Sequence, residues 1–186
     1  SNKRAAELGR RIMTSLDGVG IFGIEMFLLT DGDLLINEIA PRPHNSGHFS
    51  IEGCYTSQFE NHVRAILGLP LGCSDLVAPA AVMVNILGST DGPAQPKGLQ
   101  DALTVPGANI HIYGKKRSRP GRKMGHVTAV GNSVAEAREV ALRAARLAGL
   151  SHRGALHLLL QRLDLSRFVL QHLRAQLLNR LLFLIL

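Results

Sequence analysis

"IFGIEMFLLTDGDLLINEIA", Ile21 to Ala40, decides how the first half of this chain folds. Two apolar runs flank Asp31-Gly32, and Asp-Gly between apolar runs is the strongest short signal for a β-hairpin. With Asp31 and Gly32 as the two loop residues, Thr30 pairs with Asp33 and every cross-strand pair has the same sum. Glu25 then falls opposite Glu38. A four-residue loop keeps that pairing, and a three-residue loop breaks it. Opposed residues on one face have Cβ atoms about 4.5–5.5 Å apart, so the register predicts two adjacent carboxylates.

Ile21, Gly23 and Phe27 share the face of Glu25, and Phe22, Ile24 and Met26 form the other. A strand apolar on both faces is expected to be covered on both. Two carboxylates there repel each other and are costly to desolvate. A shared proton, a nearby arginine or lysine, or a bound cation would resolve this. Magnesium, which takes carboxylate oxygens together with water and substrate phosphates, suits such a half-built site. The plainer alternative puts one glutamate at a solvated sheet edge and pairs the other with an arginine. The next segment favours a ligand site: Arg42, whose fork matches phosphate or carboxylate, is followed by His44, Asn45 and Ser46.

Around this hairpin, "NKRAAELGRRIMTSLDG" has helical spacing, with Ala6, Leu8, Ile12, Met13 and Leu16 on one face and an end at Gly18. "SQFENHVRAIL" reads as a helix ending at Gly68. "AAVMVNILG" is a buried strand, residues 92–98 form a loop, and "NIHIYG" is a short strand. "KKRSRPGRKMGH" is a basic turn leading into the strand "VTAV". Ser133 caps a helix through about Leu147, with Glu136 in capping-box position. After Gly149 the chain becomes leucine- and arginine-rich and reads as an amphipathic core or partner helix. Arg174 and Arg180 break any run long enough to span a bilayer, so no membrane contact of this tail is expected. An origin outside the domain, through splicing or a shifted reading frame, is a further reading of the tail.

The 186 residues carry net charge +7 and are 46% hydrophobic, which excludes a disordered chain and is enough for a sizeable core. Arginines dominate from Lys115 onward, which points to anionic partners. Cys54 and Cys73 lack metal-ligand spacing and read as free thiols in a reducing compartment. No secretory leader is visible in the charged stretch from Ser1 to Arg11.

With these residues in place, "GIFGIEMFLLTDGDLLINEIAPRPHNSGHFSIEGCYTSQFENHVRAILGLPLG" closely resembles the carboxyaminoimidazole ribonucleotide synthetase family. These are ATP-grasp enzymes of de novo purine synthesis, also found as the N-terminal part of eukaryotic phosphoribosylaminoimidazole carboxylase. "PGANIHIYGKKRSRPGRKMGHVTAVG" resembles the family's C-terminal β-rich subdomain. The likeness runs from about Lys3 to about Ala148. It implies an α+β fold: the C-terminal part of an ATP-grasp domain over residues 1–77, a β-rich subdomain over 78–132 and its helix over 133–149; an atypical helical tail over 150–186 is expected to follow, outside the likeness.

The resemblance also implies roles. Glu25 and Glu38 match the magnesium-binding glutamates, and Asn37 with Glu38 would shape the nucleotide site for ATP. Arg42, His44, Asn45 and Ser46 match the segment facing aminoimidazole ribonucleotide and the carboxyphosphate intermediate, with Arg42 and His44 the catalytic candidates. Lys115 and Arg122, with Lys123 behind them, match the basic group that holds the ribonucleotide's phosphate. Bicarbonate is the co-substrate, a homodimer is the expected assembly of the intact enzyme, and the cytoplasm (a plastid in a plant or alga) is the expected compartment.

Four departures qualify this. The 186 residues lack the family's N-terminal ribonucleotide-binding domain and nucleotide-gripping lysines, so a fragment with half a site is expected. The loop at residues 92–98 is short, Lys116 and Arg117 stand where relatives more often carry Pro or Glu, and the tail matches nothing in the family. The alternative from another class is a basic nucleic-acid-binding module resting on "KKRSRPGRK". That run has no aromatic residue to stack bases, and no nucleic-acid partner is expected.

Overall fold

Helix α1 (Asn2–Leu16) presents Ala5, Leu8, Ile12 and Met13 to one side of a hairpin, where they pack on Ile24, Met26, Leu34 and Ile39. The helix stops at Leu16, because Asp17 takes a left-handed backbone conformation at φ 48°. Leu16, expected on the buried face, is exposed. The structure, a computed structural model, describes residues 2–95, 97–149, 159–161 and 179–185.

The hairpin is β1 (Phe22–Leu28) and β2 (Leu34–Ala40), paired antiparallel. Leu29 N–H donates to Asp33 C=O at 2.8 Å and Gly32 N–H to Leu29 C=O at 3.0 Å, with Gly32 at φ 89°. This is a three-residue loop, Thr30 to Gly32, closed by a left-handed glycine. Near the loop the pairs are Leu28–Leu34, Phe27–Leu35 and Met26–Ile36, but beyond a bulge they become Glu25–Glu38, Ile24–Ile39 and Gly23–Ala40. The loop is thus the length that breaks the expected register, and the extra residue Asn37 restores it.

A tight turn at Asn45–Gly47 and helix α2 (Ser50–Gly53) lead to α3 (Gln58–Ile66). Ser57 caps α3 by accepting from Glu60 N–H at 3.2 Å, and Gly68 at φ 66° terminates it. His62 on α3 accepts from Ile21 N–H at 3.0 Å, tying the helix to the start of β1. Asn61 bonds both Gly72 N–H and Gly72 C=O, and Tyr55 N–H donates to Asp75 C=O at 3.0 Å. These bonds hold the segment carrying Cys73 along the one carrying Cys54.

A second compact unit begins at Leu76. It contains β3 (Ala80–Leu87), β4 (Gly92–Pro93), α4 (Leu99–Leu103), β5 (Asn109–Ile112), β6 (Arg117–Ser118), β7 (Lys123–Gly131), α5 (Val134–Leu147) and β8 (Leu159–Gln161). Its main sheet runs β5-β7-β3-β8, all antiparallel. One face, with Val82, Val84, Ile86, Val127 and Ala129, packs on Ala137, Ala141, Leu142, Ala144 and Ala145 of α5. Ser133 accepts from Glu136 N–H at 3.2 Å while Glu136 accepts from Asn132 N–H at 2.9 Å, the reciprocal cap read from sequence.

Strand β9 (Asn179–Ile185) belongs to the first unit and pairs antiparallel with β1, giving the order β2-β1-β9. Most of the tail expected to be helical lies outside the described residues. Its two described pieces, β8 and β9, are extended. A short leucine-rich run fits a buried strand as well as a helix, and periodicity alone does not separate them.

Candidate functional site

Strand β2 carries its polar residues on an open edge. Glu38 and Asn37 are exposed, and so are Leu35 and Ile36, whereas β1 is largely buried. Cover on both faces was expected for the strand of Glu25, and β1 is largely buried among the described residues. Glu25 is partly buried, with a side chain 19% exposed, because it sits inside the sheet between β2 and β9. The pair is therefore asymmetric: one carboxylate is recessed and the other faces water.

The bulge gives Glu25 two cross-strand neighbours, Asn37 and Glu38, in place of one. Asn37 Nδ2 donates to Glu25 Oε2 at 2.9 Å. On the opposite side, His44 Nε2 lies 3.7 Å from Glu25 Oε1. Among the described residues Glu25 thus has an imidazole, not an arginine, as its nearest basic partner, and both of its oxygens are oriented by neighbours.

His44 reaches that position because the chain turns sharply after β2. Arg42 N–H donates to Ala40 C=O at 2.8 Å, and His44 is extended at φ −108°, ψ 147° before the turn at Asn45. Its ring lies against β1 at Gly23: a Cβ there would come within 2.8 Å of His44 Cβ. Ser46, only 5% exposed, places Oγ 2.8 Å from His44 Nδ1, so it braces the imidazole. Arg42 is exposed, and among the described residues its guanidinium bonds only the neighbouring Pro43 C=O, at 3.3 Å. Asn45 is half-buried at the start of the turn.

The structure therefore brings together Glu25, Asn37, Glu38, His44 and Ser46, with Arg42 and Asn45 on the adjoining turn. It adds two residues without a role at the site in the sequence reading, Gly23 and Gln58. Gly23 reads there as part of the apolar face of Glu25; a glycine inside a strand, a sign of close backbone approach, was the signal available. Gln58 read only as part of a helix.

In the second unit the basic residues cluster around a tight turn. Arg119-Pro120-Gly121-Arg122 closes with Arg122 N–H donating to Arg119 C=O at 3.0 Å and Gly121 at φ 76°, the residue pattern of a type II turn. Lys115 Nζ donates to Lys123 C=O and lies 5.5 Å from the centre of the Tyr113 ring. Arg122 Nη1 donates to Arg117 C=O at 2.8 Å. Burial lowers the Lys115 pKa from its usual value, and the Arg122, Lys123 and Arg119 charges push the same way. A cleft of about 650 Å³ opens beside Lys115, lined also by Ile86, Gly88, Asp91, Lys97 and Met124. Beneath the cluster Tyr113 Oη lies 2.9 Å from His126 Nδ1, and His126 stacks on His111 with ring centres 4.4 Å apart. The alternation His111-x-Tyr113 and Met124-x-His126-x-Thr128 was the signal available in the sequence for this row.

Comparison with known proteins follows the same division. Residues 1–59 match the family described as ATP-grasp domain, and residues 81–140 match the Phosphoribosylaminoimidazole carboxylase C-terminal domain. The phosphoribosylaminoimidazole carboxylase of Ogataea methanolica is 50% identical over 138 residues, covering 72% of this chain and 25% of that protein. The N5-carboxyaminoimidazole ribonucleotide synthase of Aquifex aeolicus is 50% identical over 134 residues, 72% of this chain and 35% of that protein. Among solved structures, the N5-carboxyaminoimidazole ribonucleotide synthetase of Thermotoga maritima superposes with TM-score 0.68 at 55% identity, over 78% of this chain and 41% of that one. The Aspergillus clavatus N5-carboxyaminoimidazole synthase, solved with ADP and the 5-amino ribonucleotide, gives TM-score 0.68 at 41% identity over 78% of this chain and 39% of its own.

The fold over residues 1–59 is that of the ATP-grasp class of proteins. Within that class the chain is similar, over 72–78% of its own length, to members of the carboxyaminoimidazole ribonucleotide synthetase family. It spans a quarter to about a third of the length of the curated relatives it matches.

Proposed function

We propose that the protein carrying this chain catalyses the ATP- and magnesium-dependent carboxylation of aminoimidazole ribonucleotide with bicarbonate, in de novo purine synthesis. The observation that carries this reading is the convergence of Glu25, Asn37, Glu38 and His44 on one end of the hairpin, in a chain whose solved relatives include one with ADP and the amino ribonucleotide and one with ATP.

Two adjacent carboxylates, one recessed and one open to water, fit a magnesium ion that keeps part of its water and shares substrate phosphates. Bound there, such an ion supplies charge neutralisation for phosphoryl transfer from ATP to bicarbonate. Asn37 orients the Glu25 carboxylate. Arg42 directs its guanidinium fork to the anionic carboxyphosphate. His44 takes the proton released as the ribonucleotide's amino group captures the activated carboxyl. Ser46 holds the ring, and Asn45 begins the turn that lines the substrate. Lys115 and Arg122 hold the ribonucleotide's phosphate, and Lys123 supports them through the carbonyl that Lys115 engages.

The complete protein is proposed to act as a homodimer in the cytoplasm, or in a plastid in a plant; the relative from Vigna aconitifolia is named chloroplastic. Among the described residues no helix is long and apolar enough to cross a membrane. Phe59, Val63, Ile66 and Leu67 form an exposed apolar strip at α3 and its end that such a partner would cover. Sedimentation of the complete protein checks the assembly.

The activity is tested by phosphate release from ATP in the complete protein. Turnover should require both bicarbonate and aminoimidazole ribonucleotide. Turnover that ignores the omission of either would reject the reading.

A further inference from the structure

We propose that Gln58 is the positioning residue that sets His44 against Glu25. Part of this rests on the reading of His44 as the proton-accepting group. Gln58 is fully buried at the first position of α3, fourteen residues from His44. Its Oε1 accepts from His44 N–H at 3.0 Å, and its Nε2 donates to His44 C=O at 2.9 Å. The amide therefore grips the His44 peptide groups from both sides, as a neighbouring strand would.

The second Nε2 proton points to His48 Nδ1, 2.7 Å away, and the Gln58 backbone N–H donates to Ser50 Oγ at 2.9 Å. Turning the amide over would set its oxygen against the His44 carbonyl and its NH2 against the His44 N–H. The orientation is thus fixed by its partners. With the backbone clamped from α3, Gly23 leaving room on β1 and Ser46 on Nδ1, the imidazole has one resting place: Nε2 beside Glu25 Oε1.

No acidic or basic group is needed for this, and a hydrocarbon of the same length could fill the same volume. What such a residue could not do is hold His44 in register. A misplacement of about 1 Å costs on the order of 100-fold in rate, which sets the effect expected from losing the clamp.

The test uses Gln58→Met, which keeps the length and removes both bonds to His44 and the one to His48, and Gln58→Glu, which keeps the shape and the acceptor. In the 186-residue chain, nuclear Overhauser contacts between the His44 ring and the Gly23 α-protons should be lost in Gln58→Met while cooperative unfolding is retained. In the complete protein the same change should lower kcat about 100-fold with KM for ATP unchanged. A folded Gln58→Met chain that keeps the ring contact overturns the proposal. So does loss of the contact with unchanged kcat in a protein that His44→Ala inactivates. If Gln58→Met does not fold, the same measurements on Gln58→Glu decide; if neither folds, Gln58 is a core residue and the proposal fails. Full turnover in His44→Ala would reject the catalytic reading of His44, and the ring contact would still decide the placement by Gln58.

Discussion

Glu25 faces Glu38 across the hairpin because Asn37 is looped out between them and Ile36. The three-residue loop alone would set Glu25 opposite Asn37 and turn Glu38 to the other face, since a one-residue slip flips every side chain. The bulge reverses that slip and leaves the Asn37 amide bonded to Glu25. In the complete protein, Glu25→Gln or Glu38→Gln is expected to lower magnesium-dependent ATP turnover by at least about 100-fold. Chemical denaturation of Glu38→Gln should shift by less than about 1 kcal/mol, as Glu38 is exposed. Wild-type turnover in either variant would remove both glutamates from the metal site.

Gly23 is the contact surface for His44, and a methyl group there has no room: the added Cβ would lie 2.8 Å from His44 Cβ and 2.9 Å from Cγ. Gly23→Ala must move the imidazole or bend β1, at a cost of about 1–3 kcal/mol. Urea denaturation measures the loss. Gly32→Ala provides the contrast, since that glycine meets nothing within 4 Å and is constrained only by its φ of 89°.

The two cysteines differ in environment. Cys54 is buried and Cys73 exposed. Burial, with smaller contributions from Cys73 and Asp75, pushes the Cys54 thiol from 9.0 up to about 11. Iodoacetamide at pH 8 should therefore label Cys73 promptly and leave Cys54 intact until the chain unfolds, which peptide mass mapping reads directly. The folded chain holds the Cys54 proton longer than the unfolded one. Its contribution to stability is complete below pH 9.0 and is lost as the pH rises through about 11. Denaturation midpoints of wild type and Cys54→Ala should converge over that window.

Much of this molecule was legible from residue order, for local reasons. Helix ends were marked by Ser57, Ser133, Glu136 and Gly68, whose capping chemistry acts within a few residues. The strands β3 and β7 were marked by apolar runs. The opposition of Glu25 and Glu38 was read from a two-residue loop, but it arises from a three-residue loop and a bulge whose offsets cancel. Nothing in the local sequence announces that bulge, because the bond that accompanies it joins Asn37 to a residue twelve positions away. Gln58 stayed hidden for the same reason. Its partners His44, His48 and Ser50 become neighbours only when α3 folds back under the turn.

The cluster of Lys115, Arg119, Arg122 and Lys123 leads to a prediction about anions. These cations raise one another's electrostatic energy, and together with burial they lower the Lys115 pKa. In the alkaline range just below 10.5 the unfolded chain therefore binds more protons at this site, so stability there rises with pH, against the trend of Cys54. Near pH 7.5, away from both, a bound phosphate should relieve the repulsion. At a phosphate concentration ten times its dissociation constant, the gain is about 1.4 kcal/mol. Phosphate also stabilises proteins in general by exclusion from their surface, so the specific part is the difference between wild type and Lys115→Met or Arg122→Met at equal ionic strength. Thermal unfolding in phosphate against chloride should show an excess rise in Tm for wild type that each variant loses. An equal rise in all three proteins would separate the basic turn from phosphate binding.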